Sequence, residues 1–167
     1  MDSCIHFAAG KRYLEAECQL LGGCERGRCK VTGGYRLPAK CNTIFKAVYT
    51  FFRSLSFDHL HLLLPHRLDI IHSVGPIGEN ADLFSACYTN ALDTLKEHRL
   101  RSIAFPAIST GTYGYPKEKA VPVVLKAIRR WLKKPDNLAS IDRIILVLFL
   151  DVDTSLYTQY LPMYFPR

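Results

Sequence analysis

The stretch Ser109-Thr110-Gly111-Thr112-Tyr113-Gly114-Tyr115-Pro116 concentrates groups that can hold an anion. Gly111 and Gly114 permit positive φ and close approach of the backbone, so consecutive N–H groups can converge on a phosphate. Ser109, Thr110 and Thr112 add hydroxyls, and Tyr113 and Tyr115 offer flat faces for a ribose or base. The lysine and following Ser/Thr of a Walker A loop are absent, which removes the main support for an ATPase-like reading. On loop chemistry alone, a phosphate cradle and an ordinary glycine-containing turn fit equally well.

Other chemically capable residues form weaker patterns. Asp58, His59 and His61 alternate as strand neighbours would, but nothing else at ligand spacing joins them to make a metal site. The cysteines at 4, 18, 24, 29, 41 and 87 contain no CxxC, and Cys24 with Cys29 lacks a second matching pair. They are expected to be reduced thiols of an intracellular protein. Lys126, Arg129, Arg130, Lys133 and Lys134 share one amphipathic stretch, which reads first as a solvated helix face. A net charge of +7 favours polyanionic partners, leaving phosphate-bearing ligands and nucleic acid both open.

The elements needed to position the loop can be read around it. Leu83, Cys87, Ala91 and Leu95 recur at four-residue steps, with Ala86 and Leu92 beside the same stripe, and predict a helix over 83–98. Residues 101–108 are short and apolar, as a buried strand is, with Pro106 at its exit. A second helix is predicted over 117–134, with Val121, Val124, Leu125, Ile128 and Leu132 on one face. Residues 142–150 form a near-continuous apolar run, as in strands covered on both faces. This order implies an α/β fold with a largely parallel sheet between helical layers. Residues 109–116 then lie beyond a strand's carboxyl end and immediately before a helix, where ligands of such sheets gather and a helix dipole favours an anion.

With 167 residues, the chain is expected to form a single domain over 1–167, burying roughly 70% of its unfolded surface. Its 49% hydrophobic and 22% charged residues are ordinary for a folded protein. The most apolar stretch, residues 44–64, is interrupted by Lys46, Arg53 and Asp58. Each charge near a bilayer centre costs on the order of 3 kcal/mol, which argues against a membrane span.

The run Ile103-Ala104-Phe105-Pro106-Ala107-Ile108 followed by the loop 109–116 resembles the strand and diphosphate-binding loop of macrodomains, in particular the MacroD-type ADP-ribosyl hydrolases. The resemblance extends to Leu21-Gly22-Gly23-Cys24, to Val31-Thr32-Gly33-Gly34-Tyr35-Arg36-Leu37-Pro38-Ala39-Lys40, to Ile70-Ile71-His72-Ser73-Val74-Gly75-Pro76-Ile77, and to Leu161-Pro162-Met163-Tyr164-Phe165-Pro166. It implies a three-layer α/β/α fold with a mixed, mostly parallel central sheet and an ADP-ribose cleft across the strand ends. It also implies hydrolysis of ADP-ribose from mono-ADP-ribosylated proteins at acidic side chains, and deacetylation of O-acetyl-ADP-ribose. Neither metal nor cofactor is implied, and the setting is the nucleus or cytosol.

By the same resemblance, Ser109, Thr110, Gly111, Thr112, Tyr113, Gly114 and Tyr115 hold the diphosphate, with Tyr115 beside a ribose. The start of the chain, Asp2-Ser3-Cys4-Ile5-His6-Phe7-Ala8-Ala9-Gly10, is similar to the end of the family's catalytic loop and its helix. Asp2 would be the catalytic carboxylate, able to orient or deprotonate a water, and His6, one helical turn later, the residue tied to deacetylation. Read without the family, Asp2 is a helix N-cap and His6 a packed histidine.

Two departures accompany the resemblance. The family's first two strands and its glycine-rich loop have no counterpart before Met1, which predicts a gap in the sheet between residues 70–74 and 102–108, with unpaired edges. Residues 41–68 are an insertion. Within it, residues 43–52 are rich in β-branched and aromatic types and could pair into the vacant slot; a lid or irregular excursion, or an alternative or imperfectly assembled product, are the other readings. Three functional expectations follow: a hydrolase, a non-catalytic ADP-ribose-binding or interaction module, and an inactive truncated form.

Overall fold

The helix predicted over 83–98 forms as α3, Ala81–Glu97, because its start and its buried stripe agree. The Asn80 side chain accepts a hydrogen bond from the Leu83 N–H at 3.0 Å, capping an otherwise open donor. Phe84, Cys87, Tyr88, Ala91, Leu92 and Leu95 then face inward at helical spacing. In the helix α4, Lys117–Leu132, the expected Leu132 packs half-buried against the core and the fully buried Trp131 joins it, its indole N–H donating to Asp93 of α3 at 2.7 Å.

The computed structural model describes residues 2–37, 44–45 and 69–166. Before α3 come α1 (Asp2–Ala9), α2 (Lys11–Leu21), β1 (Cys29–Gly33), β2 (Ile44–Phe45) and β3 (Asp69–Ser73). After it come β4 (Ser102–Pro106), α4, the short α5 (Asn137–Ser140), β5 (Arg143–Val147) and α6 (Asp151–Tyr164).

The sheet runs β1-β3-β2-β4-β5. β1 is antiparallel to β3, whereas β3, β2, β4 and β5 are parallel. Alternation along the strands divides the core. Ile70 packs with Ile5, Ala9 and Leu14 of the α1–α2 layer, while Ile71, Ile103 and Phe105 pack with α3, α4 and Tyr157 of α6. The result is the expected three-layer α/β/α arrangement around a mixed, mostly parallel sheet.

The expected gap between β3 and β4 is filled along residues 44–45. Ile44 pairs with Ile70 on one side and Ala104 on the other, and Phe45 pairs with Ile71. Within the stretch proposed for this slot, residues 43 and 46–52 lie outside the described residues, as do Asp58, His59 and His61. Physically, β2 supplies backbone partners in the middle of the sheet, where an orphaned donor or acceptor would cost about 1–3 kcal/mol.

One of two strand expectations needs adjustment. Pro106 ends β4 as foreseen, still in register with Val147, and its carbonyl accepts from the Tyr88 hydroxyl at 3.4 Å. β5, however, is an edge strand and only half-buried, not covered on both faces. Ile144, Leu146 and Leu148 pack against the core, while the neighbouring Phe149 is 69% exposed. An apolar run shows that a strand meets a core, but not how many of its faces do.

Ile44→Pro removes a ladder donor from the central slot and is expected to cost about 2 kcal/mol, measured as a lower urea midpoint. An unchanged midpoint would show that residues 44–45 do not carry this part of the sheet.

Candidate functional site

Residues 109–116 leave β4 and enter α4 through two nested backbone hydrogen bonds. The Tyr115 N–H donates to the Ser109 carbonyl at 2.9 Å, and within it the Gly114 N–H donates to the Gly111 carbonyl at 2.9 Å. Glycine suits the last position of such a turn, and Gly114 takes φ 70°, a left-handed conformation that costs it little. Gly111 does not share the expected positive φ; Ser109, at φ 56°, takes it instead. A Cβ on Gly111 would meet nothing within 4 Å, so the glycine leaves open space at the loop's outer face.

The inner bonds occupy the N–H groups of Gly114 and Tyr115. Those of Thr110, Gly111, Thr112 and Tyr113 have no partner among the described residues, and the last three of these residues are exposed. Four successive donors therefore stand unpaired among the described residues, just ahead of the open N-terminus of α4, where Pro116 supplies no side-chain cap. That arrangement favours an anion through both hydrogen bonding and the helix dipole.

A neighbouring loop holds this one in place. After β3 the chain passes Val74 and Gly75, and the Gly78 N–H donates to the Tyr113 carbonyl at 2.7 Å. Gly75 lies so near residues 108–109 that a Cβ there would fall 2.1 Å from Ser109 Oγ and 2.9 Å from Ile108 Cγ2. Ser109 Oγ is itself buried without a hydrogen-bond partner among the described residues. A left-handed non-glycine residue with an orphaned hydroxyl costs about 1–3 kcal/mol, strain that persists only because the surroundings enforce it. Glu79 continues the clasp, accepting from Lys119 Nζ of α4 at 2.8 and 2.9 Å. This hydrogen bond and the adjacent negative charge hold the Lys119 ammonium above its ordinary pKa.

The tyrosines divide their roles. Tyr113 is 43% exposed and is the ring available to a ligand. Tyr115 is only 3% exposed and stacks on Phe84 with centroids 4.3 Å apart, so the structure does not offer its flat face openly as the sequence suggested. It anchors the loop in the core. Burial first, and the charge of Glu79 second, raise its pKa and favour the neutral phenol.

Asp2 opens α1, and its side chain lies outside the described residues. His6 follows one turn later, with a side chain 17% exposed and Nδ1 3.9 Å from Glu15 Oε1 of α2. The structure thus gathers the predicted loop residues with residues 75–79, which sequence reasoning had not assigned to the site. Their signal was Val74-Gly75-Pro76 at a strand exit, but that dipeptide pattern does not reveal which loop comes near. Among the described residues, no group of three or more His, Cys, Asp or Glu is placed to hold a metal ion. Cys18, Cys24, Cys29 and Cys87 are free thiols; burial raises the pKa of Cys29 to about 12, with the neighbouring Cys87 and Cys24 adding to the rise.

The sequence pattern of the Macro domain family matches residues 61–124. Rat ADP-ribose glycohydrolase MACROD1 is 41% identical over 99% of this chain, which spans 55% of that protein. The macro domain-containing protein CT2219 of Chlorobaculum tepidum is 39% identical over 96% of the chain and is itself covered to 78%. Among solved structures, the Trypanosoma brucei macrodomain in complex with ADP-ribose superposes with a TM-score of 0.73 at 30% identity, covering 95% of this chain and 55% of that one. The shared sequence, the layered mixed sheet and the outward-facing loop between β4 and α4 lead to one assignment: the chain belongs to the macrodomain family.

Proposed function

We propose that this chain holds the diphosphate of ADP-ribose on residues 109–115 and acts as a hydrolase at bonds to the ADP-ribosyl group. The observation that carries the reading is the row of N–H donors at Thr110, Gly111, Thr112 and Tyr113, unpaired among the described residues, beside the start of α4. A diphosphate distributes its charge over several oxygens, and successive amides can meet them without a cationic side chain. Tyr113 lies at the rim for a ribose or base. The name of the rat relative and the ligand of the trypanosomal structure support the same ligand class.

For catalysis the reading assigns Asp2 to orient or deprotonate a water and His6, one helical turn later, to the deacetylation step. With a mono-ADP-ribosylated acidic side chain, water adds at the anomeric carbon, the bond to the ester oxygen breaks, and the protein carboxylate leaves with a proton released. With O-acetyl-ADP-ribose, water adds to the acetyl carbonyl, and acetate departs from the ribose oxygen, which takes up a proton. A nuclear or cytosolic setting is part of this proposal, supported by the free thiols.

A second reading, ADP-ribose binding without hydrolysis, is supported by the place of the unpaired amides: the loop ahead of α4 can meet a diphosphate through its own backbone, without Asp2 or His6. Single-turnover release of ADP-ribose from a glutamate-modified protein separates the two. Release that is lost in Asp2→Asn supports the hydrolase; no release at high protein concentration, with calorimetric ADP-ribose binding intact, leaves the binding module.

Gly111→Glu places a carboxylate in the open space of the loop and is expected to weaken ADP-ribose binding at least about tenfold by calorimetry; unchanged affinity would refute the cradle. Gly75→Ala should displace Ser109, cost about 1–3 kcal/mol of stability and weaken ADP-ribose binding. Adding Ser109→Ala should restore part of both losses, because it removes the atom 2.1 Å from the new methyl group. Additive losses in the double variant would separate Gly75 from the loop.

A further inference from the structure

The far half of α4 carries charge that the ADP-ribose reading leaves unused. Lys126, Arg130, Lys133 and Lys134 are exposed, and neither they nor the half-buried Arg129 form an ion pair among the described residues. Exposed cations elsewhere do find partners: Arg101 pairs with Asp142 at 2.6 Å and Lys119 with Glu79 at 2.8 Å. Residues 126, 129, 130 and 133 recur at i, i+3, i+4 and i+7, so they crowd one helical face. Like charges at that spacing repel by about 0.2–0.5 kcal/mol per pair. The helix dipole accounts for cations in the last turn, where Arg129 and Arg130 lie, but not for Lys126 a turn earlier.

These side chains also border a shape. Lys126, Arg129, Arg130 and Lys133 of α4 and Tyr164 at the end of α6 line a shallow, open surface depression of about 240 Å³. The Arg129 guanidinium lies 5.5 Å from the centre of the Phe165 ring, a cation–π contact that fixes one donor before any ligand arrives. Tyr164 is half-buried and has no ring partner among the described residues. A half-buried aromatic ring beside cations that form no ion pair among the described residues suits a ligand with alternating flat bases and phosphates.

We propose that this concavity between α4 and α6 binds single-stranded nucleic acid, with Tyr164 stacking on a base and Lys126, Arg130 and Lys133 contacting phosphates. The cations span roughly 10 Å of helix, enough for two or three phosphates of a flexible strand. They lie roughly 14–24 Å along α4 from the diphosphate loop, so the two ligands occupy opposite ends of one helix without competing.

The test is fluorescence anisotropy of a labelled twelve-nucleotide RNA, about 12 residues being ample for a site of this size, titrated at about 50 and 200 mM salt. Expected are a dissociation constant on the order of 10⁻⁵ M at the lower salt and a logarithmic salt slope near about −2. Lys126→Glu with Lys133→Glu should weaken binding at least about tenfold, while circular dichroism shows the fold retained. Tyr164→Ala should weaken it about fivefold or more and leave the salt slope unchanged. Saturating ADP-ribose should leave RNA binding as it is. No binding at the lower salt, wild-type affinity in the charge-reversed variant, or displacement by ADP-ribose would each overturn the proposal. So would charge-reversal-sensitive binding to phosphatidylserine vesicles in place of RNA.

Discussion

The architecture of the candidate site depends on how the loop after β4 spends its backbone donors. A loop that turned all its amides inward would be stable and inert. Here Gly114 and Tyr115 satisfy the inner carbonyls, and the clasp through Gly78 fixes the Tyr113 carbonyl, so the remaining amides can stay unpaired at the surface. Their exposure to water is what makes this tolerable, since the same groups buried without partners would each cost about 1–3 kcal/mol. Gly75 is the steric condition for the clasp, because any side chain would collide with Ser109. Tyr115, stacked on Phe84, is its hydrophobic counterpart. A strained serine, a bare glycine and a buried ring thus hold one short backbone segment in a conformation it would not adopt alone.

That segment can be held only if the strands beneath it are fixed relative to each other. The clasp joins the exits of β3 and β4, which are not neighbours in the sheet; β2 stands between them. Residues 44–45 therefore set the lateral spacing of the two loops as well as completing the ladder. The opposite layers contribute unequally. Most of the large buried side chains belong to the α3–α4–α6 side, whereas α1 and α2 pack a smaller cluster around Ile70. The cradle accordingly stands on the better-packed side, and the proposed catalytic residues stand on the lighter one.

Much of this was legible in the sequence where the signal is local. The stripes of α3 and α4, the apolar β4 ending at Pro106, and the glycine loop between them announce themselves through periodicity and turn chemistry. What was not legible is mostly non-local. Nothing in Val74-Gly75-Pro76 names Ser109 as its neighbour, and Tyr113 and Tyr115 look alike until packing sends one to solvent and the other against Phe84. The half-exposure of β5 was hidden because an apolar run reads the same with one face covered or two. The apolar composition of residues 43–52 suggested a strand for the central slot, but composition cannot choose between pairing and excursion. The pairing at Ile44 and Phe45 answers that for the residues it includes. Asp2 and His6 entered through resemblance alone, since a capping aspartate and a packed histidine have the same spacing.

The charges along α4 sharpen the chemistry of the cradle. Lysines at the start of a helix work against its dipole and, left free, would bind phosphate simply as point charges. Lys117 is instead paired with the buried Asp153 of α6, and Lys119 with Glu79. Both cations are thereby diverted into holding α4 against α6 and against the β3 exit loop. In the proposed function the cradle therefore binds through its backbone amides more than through net charge. Amides in a fixed row discriminate by geometry, favouring a ligand whose oxygens match their spacing over any anion of equal charge. Among the described residues the basic far end of α4 forms no such ion pairs, so the attraction proposed for it is general and salt-sensitive. Among the described residues, one helix thus begins beside unpaired amides with its lysines held by carboxylates and ends in cations without such partners, a division that underlies both proposed anion sites.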